Sequence, residues 1–545
     1  MRANARWEKA SYIATELRLR GSVGVLAVVF VSLPVHAQSD QSGPIASDFR
    51  IVPRITVAET LTNNVFLSSG GKKSELITQV SPAISISRTG GRIKGSLDYA
   101  LTEQIYANNS SRRRSLNTLN ASGTLEAIDN WMFVDFGGTI GQQSISAFGA
   151  PTVDASLLNG NSTETAVYRL SPYVRGRLGS QTEYEARYSL SSSRSDASTV
   201  ADVNSRDLSV RLNGSAARRG VGWDLFANHQ TIDYSAGRSA SSQRINGQLS
   251  YPLSTQWGTY VKFGRESSNF ASANTQSLNF TALGVSFTPN DEAQFNVDVD
   301  NNGKTGLTVR WAPSKRTSVS VVKERRLFGD SQTIALAYRT TNTAWTYSDT
   351  RSALTSTGLS TASTPDSLYD LLLAQFSASE PDPIRREQFG AYLQANGIRP
   401  AATAIGGFLT SALSLQNQRQ LGVALFGARN TLSITATRGS NTRLDTTSAA
   451  VDDLSSSSVV RQGGLVVNLS HRFTPASTLN VVAARQTASG AVGQPGTSTK
   501  TVNVNLSTRL TKDATASIGA RRVVFDSVTA PFSETAVLGN VSVQF

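Results

Sequence analysis

The chain contains no cysteine, two methionines and three histidines in 545 residues. With no cysteine there can be no disulfide framework, no thiolate metal site and no cysteine nucleophile. Long apolar runs are also missing. Beyond residue 36 nothing approaches the roughly 18 consecutive apolar residues that a membrane-crossing helix needs, so a helical bundle is excluded. Only 39% of the residues are hydrophobic, while glycine numbers 42 and Ser, Thr and Asn are abundant. That balance suits a long β-rich chain exported to an oxidising compartment.

Residues 1–37 read as a secretory signal. Arg2, Arg6, Lys9, Arg18 and Arg20 precede the apolar GSVGVLAVVFVSLPV (21–35), which is too short to span a bilayer, and Val35-His36-Ala37 offers small residues for cleavage. Removing it takes five basic and two acidic residues from totals of 52 and 39, leaving 47 against 37, a net charge of +10. Such a surface attracts polyanions, including phosphorylated lipid headgroups and acidic polysaccharide. Residues 38–49 are polar and read as a flexible periplasmic leader.

From about residue 76 onward the dominant signal has period two. In 92–106, the mostly apolar Ile93, Gly95, Leu97, Tyr99, Leu101, Glu103 and Ile105 alternate with the charged, polar or small Arg92, Lys94, Ser96, Asp98, Ala100, Thr102 and Gln104. The same split recurs at 182–191, 206–214, 244–253 and 501–510. A strand places successive side chains on opposite faces, so each segment is two-faced. A soluble sandwich or propeller would alternate too. The connections favour another architecture. Short turns (TGG 89–91, DN 129–130, GSQ 179–181, TPAS 474–477) alternate with long polar loops (107–114, 144–162, 191–205, 438–458), as in outer-membrane barrels with short periplasmic turns and long outer loops. Backbone groups in hydrocarbon must all be paired, so such a sheet must close on itself. The expected fold is all-β: a transmembrane up-and-down antiparallel β-barrel over 50–545, with about 24 strands (22–26) and both termini in the periplasm. Its first strand lies near 50–59. The chain ends TAVLGNVSVQF, an amphipathic strand closed by Phe545, which resembles the signal read by the barrel-assembly machinery.

Residues 352–408 interrupt the pattern. PDSLYDLLLAQFSAS (365–379) and PDPIRREQFGAYLQANG (381–397) have helical spacing, with Tyr369, Leu372, Leu373 and Phe376 on one face and Gly397 as a stop. This predicts a partly helical extracellular loop that either constricts the lumen or sits above it. Trp131, Trp223 and Trp257 follow short turns, and Tyr99, Tyr106, Tyr234, Tyr347 and Phe328 lie towards other strand ends. These fit aromatic girdles at the two membrane interfaces.

The search for chemistry yields no catalytic set. His229 and His471 share faces with apolar residues, no group orients either one, and no metal or cofactor motif stands in a suitable context. Glu183 and Glu185 share a face, but Arg187 beside them makes a lumen wall the better reading than a glycosidase pair. The inward faces carry Arg92, Lys94, Arg169, Arg175, Arg187, Arg211, Arg244, Lys262 and Arg310 together with Asp98, Glu183, Glu185 and Asp207. Two readings stay open for them: a solvated lumen held by cross-strand pairs, or a net-basic channel for anionic or hydroxyl-rich solutes. Arg112, Arg113 and Arg114 lie in an outer loop where they could meet lipopolysaccharide phosphates. No cofactor, no metal and no nucleic-acid partner is expected.

Several runs resemble the outer-membrane β-barrel proteins associated with PEP-CTERM/exosortase loci: ITVAETLTNNVFLS (55–68), ITQVSPAISISRTGGRIKGSLDYALTEQIYA (77–107), VRWAPSKRTSVSVVKERRLFGDS (309–331), DLLLAQF (370–376) and REQFGAYLQANGI (386–398). The resemblance spans nearly the whole mature chain. It implies a non-enzymatic role in exporting or assembling exopolysaccharide at the bacterial outer membrane, with outer-membrane lipid, exopolysaccharide and periplasmic export components as partners. A general diffusion porin and a surface adhesin or structural barrel are the alternatives.

Overall fold

The computed structural model describes residues 49–545 except 152, 215–219, 236, 238, 271–274, 355–407 and 445–451. The expected signal, most of the leader and nearly all of the expected helical insert lie outside the described residues. The strands are β1 (Phe49–Thr62), β2 (Glu75–Arg88), β3 (Ile93–Tyr106), β4 (Arg114–Ile128), β5 (Met132–Ser144), β6 (Ser162–Leu178), β7 (Thr182–Ser195) and β8 (Val203–Gly214). They continue as β9 (Gly222–Tyr234), β10 (Ser239–Pro252), β11 (Trp257–Ser268), β12 (Gln276–Asn290), β13 (Ala293–Asp300), β14 (Thr305–Ser314), β15 (Thr317–Arg326) and β16 (Gly329–Arg339). The remainder are β17 (Thr343–Leu354), β18 (Ser414–Phe426), β19 (Asn430–Arg443), β20 (Val459–Arg472), β21 (Ser477–Ser489), β22 (Thr497–Arg509), β23 (Ala514–Asp526) and β24 (Phe532–Gln544). One short helix, α1 (Asp453–Ser456), lies between β19 and β20.

These elements form one 24-stranded sheet. Each strand pairs antiparallel with the next, and β24 returns to β1 over Arg54↔Gln544 to Thr62↔Ala536. The sheet therefore has no free edge, which is the condition for β structure in hydrocarbon. No described helix is long and apolar enough to cross a membrane. The first strand is longer than 50–59. Several others extend past the apolar run into residues read as loop: β7 continues to Ser195 and β19 to Arg443. The hydrogen-bonded ladder does not depend on lipid, so Ser/Arg-rich ends prolong it into the aqueous phase.

One end of the barrel carries tight turns, such as 129–131 and 179–181, where Asn130 (φ 52°) and Gly179 (φ 67°) adopt the left-handed conformation that those residue types tolerate. The other end carries, among the described residues, 63–74, most of 145–161, 408–413 and 452–458. Around β13–β16 both ends are short, since 301–304 and 327–328 replace long loops. The wall is lowest there.

The period-two faces are realised as expected. Large apolar side chains point away from the lumen: Leu283 is 68% exposed and Ile518 61%, with Leu249, Leu465, Val502 and Val541 alike. On a closed sheet this band can be covered only by lipid. Outward aromatics ring the short-turn end. Trp131 donates to the Tyr184 hydroxyl at 2.8 Å, the Trp257 and Phe287 ring centroids lie 4.4 Å apart, and Trp311, Tyr338 and Trp345 continue the ring. Tyr99 and Tyr347 also face outward. Tyr106 and Tyr234 do not belong to a girdle: they face the lumen and are buried. Phe328 sits at a hairpin tip under Arg326, whose guanidinium is 5.4 Å from the ring centroid.

Candidate functional site

The lumen is the candidate site, and its wall has two unlike halves. From β3 to β15 it is charged. Arg187 bonds Asp135 at 2.6 Å and Glu185 at 3.3 Å, and its guanidinium lies 3.8 Å from the Tyr173 ring centroid. Arg175 covers Phe133 at 4.4 Å, and Phe133 stacks on Tyr173. Arg211 meets Asp224 at 2.9 Å, and Asp98 accepts from Ser85. Lys94 and Arg169 project from the wall with no ion pair among the described residues. Arg92 lies in the turn before β3, where its carbonyl accepts from the Glu126 amide. Of the two readings of these residues, pairing prevails for Arg187, Arg211, Arg244 and Lys262, so the lumen does not present a free basic field at those positions.

Besides Arg187 on β7, which reaches past β6 to Asp135 on β5, three lumen pairs between β10 and β15 skip strands. Lys262 on β11 reaches Asp298 on β13, Arg326 on β15 holds Glu266 on β11 with two contacts (2.9 and 3.0 Å), and Arg244 on β10 meets Glu324 on β15 at 3.1 Å. Such spans require the wall to bend inward between β11 and β15. Small lumen-facing residues permit this: Ala282, Gly284 and Gly306 leave space for Tyr260 to donate to Asp298 at 3.0 Å. A Cβ at Gly284 would stand 2.2 Å from the Tyr260 ring. Gly284→Ala is therefore expected to cost about 1–3 kcal/mol through overpacking. A loss of heat-resistant compact migration on gels, at lower temperature than wild type, would report it; unchanged migration would refute the close approach.

From β18 to β22 the lumen face is almost free of charge. It carries Gln416, Gln418 and Gln420, Thr435 and Thr437, Asn468, Asn480, Asn503 and Asn505, and its ionised side chains among the described residues stand only at strand ends: Arg443 at the long-loop end, Arg472 and Arg509 at the short-turn end. The Asn468 and Asn480 carbonyl oxygens have no hydrogen-bond partner among the described residues.

At the long-loop end, loops pack against lumen-facing wall residues. Leu157, with Ala150 and Val153, packs on Val523, Phe525 and Phe532. Phe408 and Ala412 pack with Leu454 on Val460, and Leu413 packs on Val203, Ile232, Tyr234 and Ala240. Polar contacts bind the loops to one another and to the wall. Tyr106 donates to the Ser156 carbonyl at 2.8 Å, and Gln104 to that of Ala155 at 3.1 Å. Asp452 caps α1 and accepts from Thr410 and the Ser411 amide, both at 2.8 Å.

Two features form the latch. Arg521, on the lumen face of β23, is 4% exposed and bonds Asp154 of loop 145–161 at 2.6 Å and Glu534 of β24 at 3.0 Å. Glu534 is fully buried and also accepts from Thr62 at 2.9 Å. Burying these charges is tolerable only because each is paired and hydrogen-bonded. The second feature is Asp453, which accepts from the Ser146 hydroxyl at 2.7 Å and the Ala147 amide at 2.6 Å. Burial raises its carboxyl above the usual carboxylate range, and neighbouring Asp452 adds to this, against the two hydrogen bonds. A carboxyl that binds its proton more tightly in the closed state favours closure most when protonated. The contact is thus expected to tighten as pH falls through the acid range and to loosen as it rises through the raised pKa. Channel conductance recorded across that range would fall on acidification; in Asp453→Asn the pH response should vanish.

The sequence did not single out Asp154, Arg521, Glu534 or Asp453. Arg521 and Glu534 were detectable as charged residues at lumen-face positions of alternating strands, but nothing local marked the two loop aspartates. Conversely, the three arginines expected to act together on phosphate are dispersed. Arg112 lies over Phe66, Arg113 pairs outward with Glu103 at 3.1 Å, and Arg114 opens β4 opposite Gln104 on the lumen face. Phe545 follows β24, is 76% exposed and donates its amide to the Pro53 carbonyl. His229 and His471 face outward, the latter bonded to Asn430 and edge-on to Phe473. No group of three ligands able to hold a metal occurs among the described residues.

No family model and no curated protein matches the chain. Among solved structures, it is similar to the FrpB iron transporter of Neisseria meningitidis in its apoprotein form, at 10% identity and a TM-score of 0.43, covering 91% of this chain and 81% of that one. It is also similar to the siderophore receptor PirA of Pseudomonas aeruginosa (10% identity, TM-score 0.40, 91% and 80% covered). A third is BauA, the ferric preacinetobactin receptor of Acinetobacter baumannii (12% identity, TM-score 0.42, 91% and 81% covered).

Proposed function

We propose that this chain is a non-enzymatic outer-membrane conduit that exports or assembles exopolysaccharide, with its short turns in the periplasm and its loop-closed mouth at the cell surface. The observation that carries this reading is the lumen face of β18–β22, which has no charged side chain between its strand ends among the described residues. Its rows of amides and hydroxyls can exchange hydrogen bonds with a hydroxyl-rich chain without holding it at any one point, and on the charged wall Arg187, Arg211, Arg244, Lys262 and Arg326 are occupied by carboxylates. A barrel of 24 strands is wide enough for a polymer, since diameter grows with strand number. The resemblance to barrels of PEP-CTERM/exosortase loci points the same way. In this reading the mouth opens only when a partner or the polymer displaces loop 145–161, and Phe545 is presented to the assembly machinery before insertion.

Deleting the gene should reduce secreted polysaccharide while leaving small-solute permeability unchanged. In planar bilayers the purified barrel should conduct when its latch is broken, and a neutral polysaccharide added on the short-turn side should block that current. Undiminished polysaccharide secretion in the deletion strain would reject the reading. Restored secretion by wild type but not by a variant with lysines at Thr437, Asn468, Asn480 and Asn503 would assign the effect to the neutral wall.

A further inference from the structure

The outward face of β17–β23 carries one basic side chain on every strand: Arg351, Arg419, Arg438, Arg461, Arg485, Lys500 and Arg522. On β18, β19, β21 and β22 the cation follows directly on the apolar run, towards the long-loop end. Arg419 follows Leu425, Val423 and Leu421; Arg438 follows Leu432, Ile434 and Ala436; Arg485 follows Leu479, Val481 and Ala483; Lys500 follows Leu506, Val504 and Val502. The row therefore lies immediately above the lipid-covered band, at headgroup level.

The register places like charges face to face. Arg419 is directly opposite Arg438, and Arg485 directly opposite Lys500. Directly opposed like charges destabilise a sheet. On these outward faces only two carboxylates stand among the described residues: Asp349, 3.1 Å from Arg419, and Asp526, 3.3 Å from Lys500. Arg438 and Arg485 form no ion pair among the described residues. Nor is the row an overflow of general basicity. The lumen side of β18–β22 is almost uncharged, and the outward positions near the long-loop end of β1, β3 and β6 are Glu59, Glu103 and Glu164.

We propose that this row is a binding site for the phosphate groups of the phosphorylated glycolipid of the outer leaflet. An anion from outside would neutralise the opposed cations that the sheet itself leaves unpaired. Guanidinium groups suit phosphate because they donate bidentately. The phosphate is lipid-borne rather than free because the cations crown an apolar band, so acyl chains would lie along the strands beneath their own headgroup. With neighbouring strands about 4.8 Å apart, the row spans about 30 Å, room for more than one headgroup. The site differs from Arg112, Arg113 and Arg114, which point in three directions. It requires only that the long-loop end face the phosphorylated leaflet and is independent of what the lumen carries.

The test compares the full mature barrel in phosphatidylcholine nanodiscs containing either diphosphorylated lipid A or the same lipid A with its phosphates removed, counting retained glycolipid by native mass spectrometry. Each cation near an anionic surface is worth roughly fivefold in affinity, so wild type should prefer the phosphorylated lipid by at least about tenfold. Arg438→Gln/Arg461→Gln/Arg485→Gln/Arg522→Gln should abolish that preference, and Arg169→Gln/Arg175→Gln in the lumen should retain it. If the quadruple variant does not fold, Arg438→Gln/Arg485→Gln provides the same reading with a smaller loss. Equal retention of both lipids by wild type, or a preference that survives the outward substitutions, would overturn the proposal. So would finding the row covered by the acidic sector of a second copy, seen as an oligomer that excludes lipid A and dissociates in Glu59→Gln/Glu103→Gln/Glu164→Gln.

Discussion

Arg521→Met is expected to release loop 145–161 from the wall and raise the conductance of the barrel. The substitution keeps side-chain length and apolar contact but removes the cation between Asp154 and Glu534. Glu534, at 0% exposure, would then retain only the Thr62 hydroxyl as a donor. Removing one partner of a buried ion pair costs about 3–5 kcal/mol, because the remaining charge is left uncompensated. The wall strands cannot separate to relieve this, as both are held in the ladder. The loop can, by withdrawing Asp154 and Leu157 so that water reaches Glu534. Single-channel current should rise and a protease added on the loop side should cut within 145–161. Combining Arg521→Met with Asp154→Asn and Glu534→Gln removes the stranded charges and should restore much of the closure. If current and cleavage stay at wild-type levels in the single variant, the triad is not the latch. Arg522→Met, one residue along and on the outward face, serves as the control and should leave the mouth closed.

Leu283→Arg should be the most damaging single change on the outer surface. Leu283 lies in the middle of β12 and is 68% exposed, so in a bilayer its side chain is immersed in acyl chains. An arginine near the midplane of a β-barrel costs about 2–4 kcal/mol. Asn503→Arg, equally central on β22 but facing the lumen, should cost far less, because the guanidinium enters a solvated space. Equilibrium unfolding from lipid vesicles measures both. Similar losses at the two sites would mean that the faces are assigned the wrong way round, since a one-residue slip exchanges them along a whole strand.

The wall was legible in the sequence because its causes are local. Alternation in segments such as 92–106 and 501–510 sets which side chain points outward, and Gly or Asn in the tight turns sets where the chain reverses. With sequential hairpins no other pairing has to be chosen, and an even strand number brings β24 back to β1. The strand ends were less legible: β7 and β19 outrun their apolar stretches, because backbone pairing continues where lipid no longer dictates residue type. Tyr106 and Tyr234 were misplaced for a related reason. A tyrosine near a strand end suits an interface, but their lumen-facing positions place them under inward-folded loops.

What the sequence by itself determined is thus the barrel, its two faces and the unequal lengths of its connections, all of which follow from periodicity within some fifteen residues. Only the tertiary structure decided the inward-packed loops, the latch and the outward cation row. Asp154 and Arg521 are 367 residues apart and share no pattern. They meet because the sheet closes and because loop 145–161 buries Leu157 against β23 and β24. Likewise each of Arg419, Arg438, Arg485 and Lys500 is an ordinary strand residue until the register sets them opposite one another, and that register is a property of neighbouring strands jointly, not of either sequence segment alone.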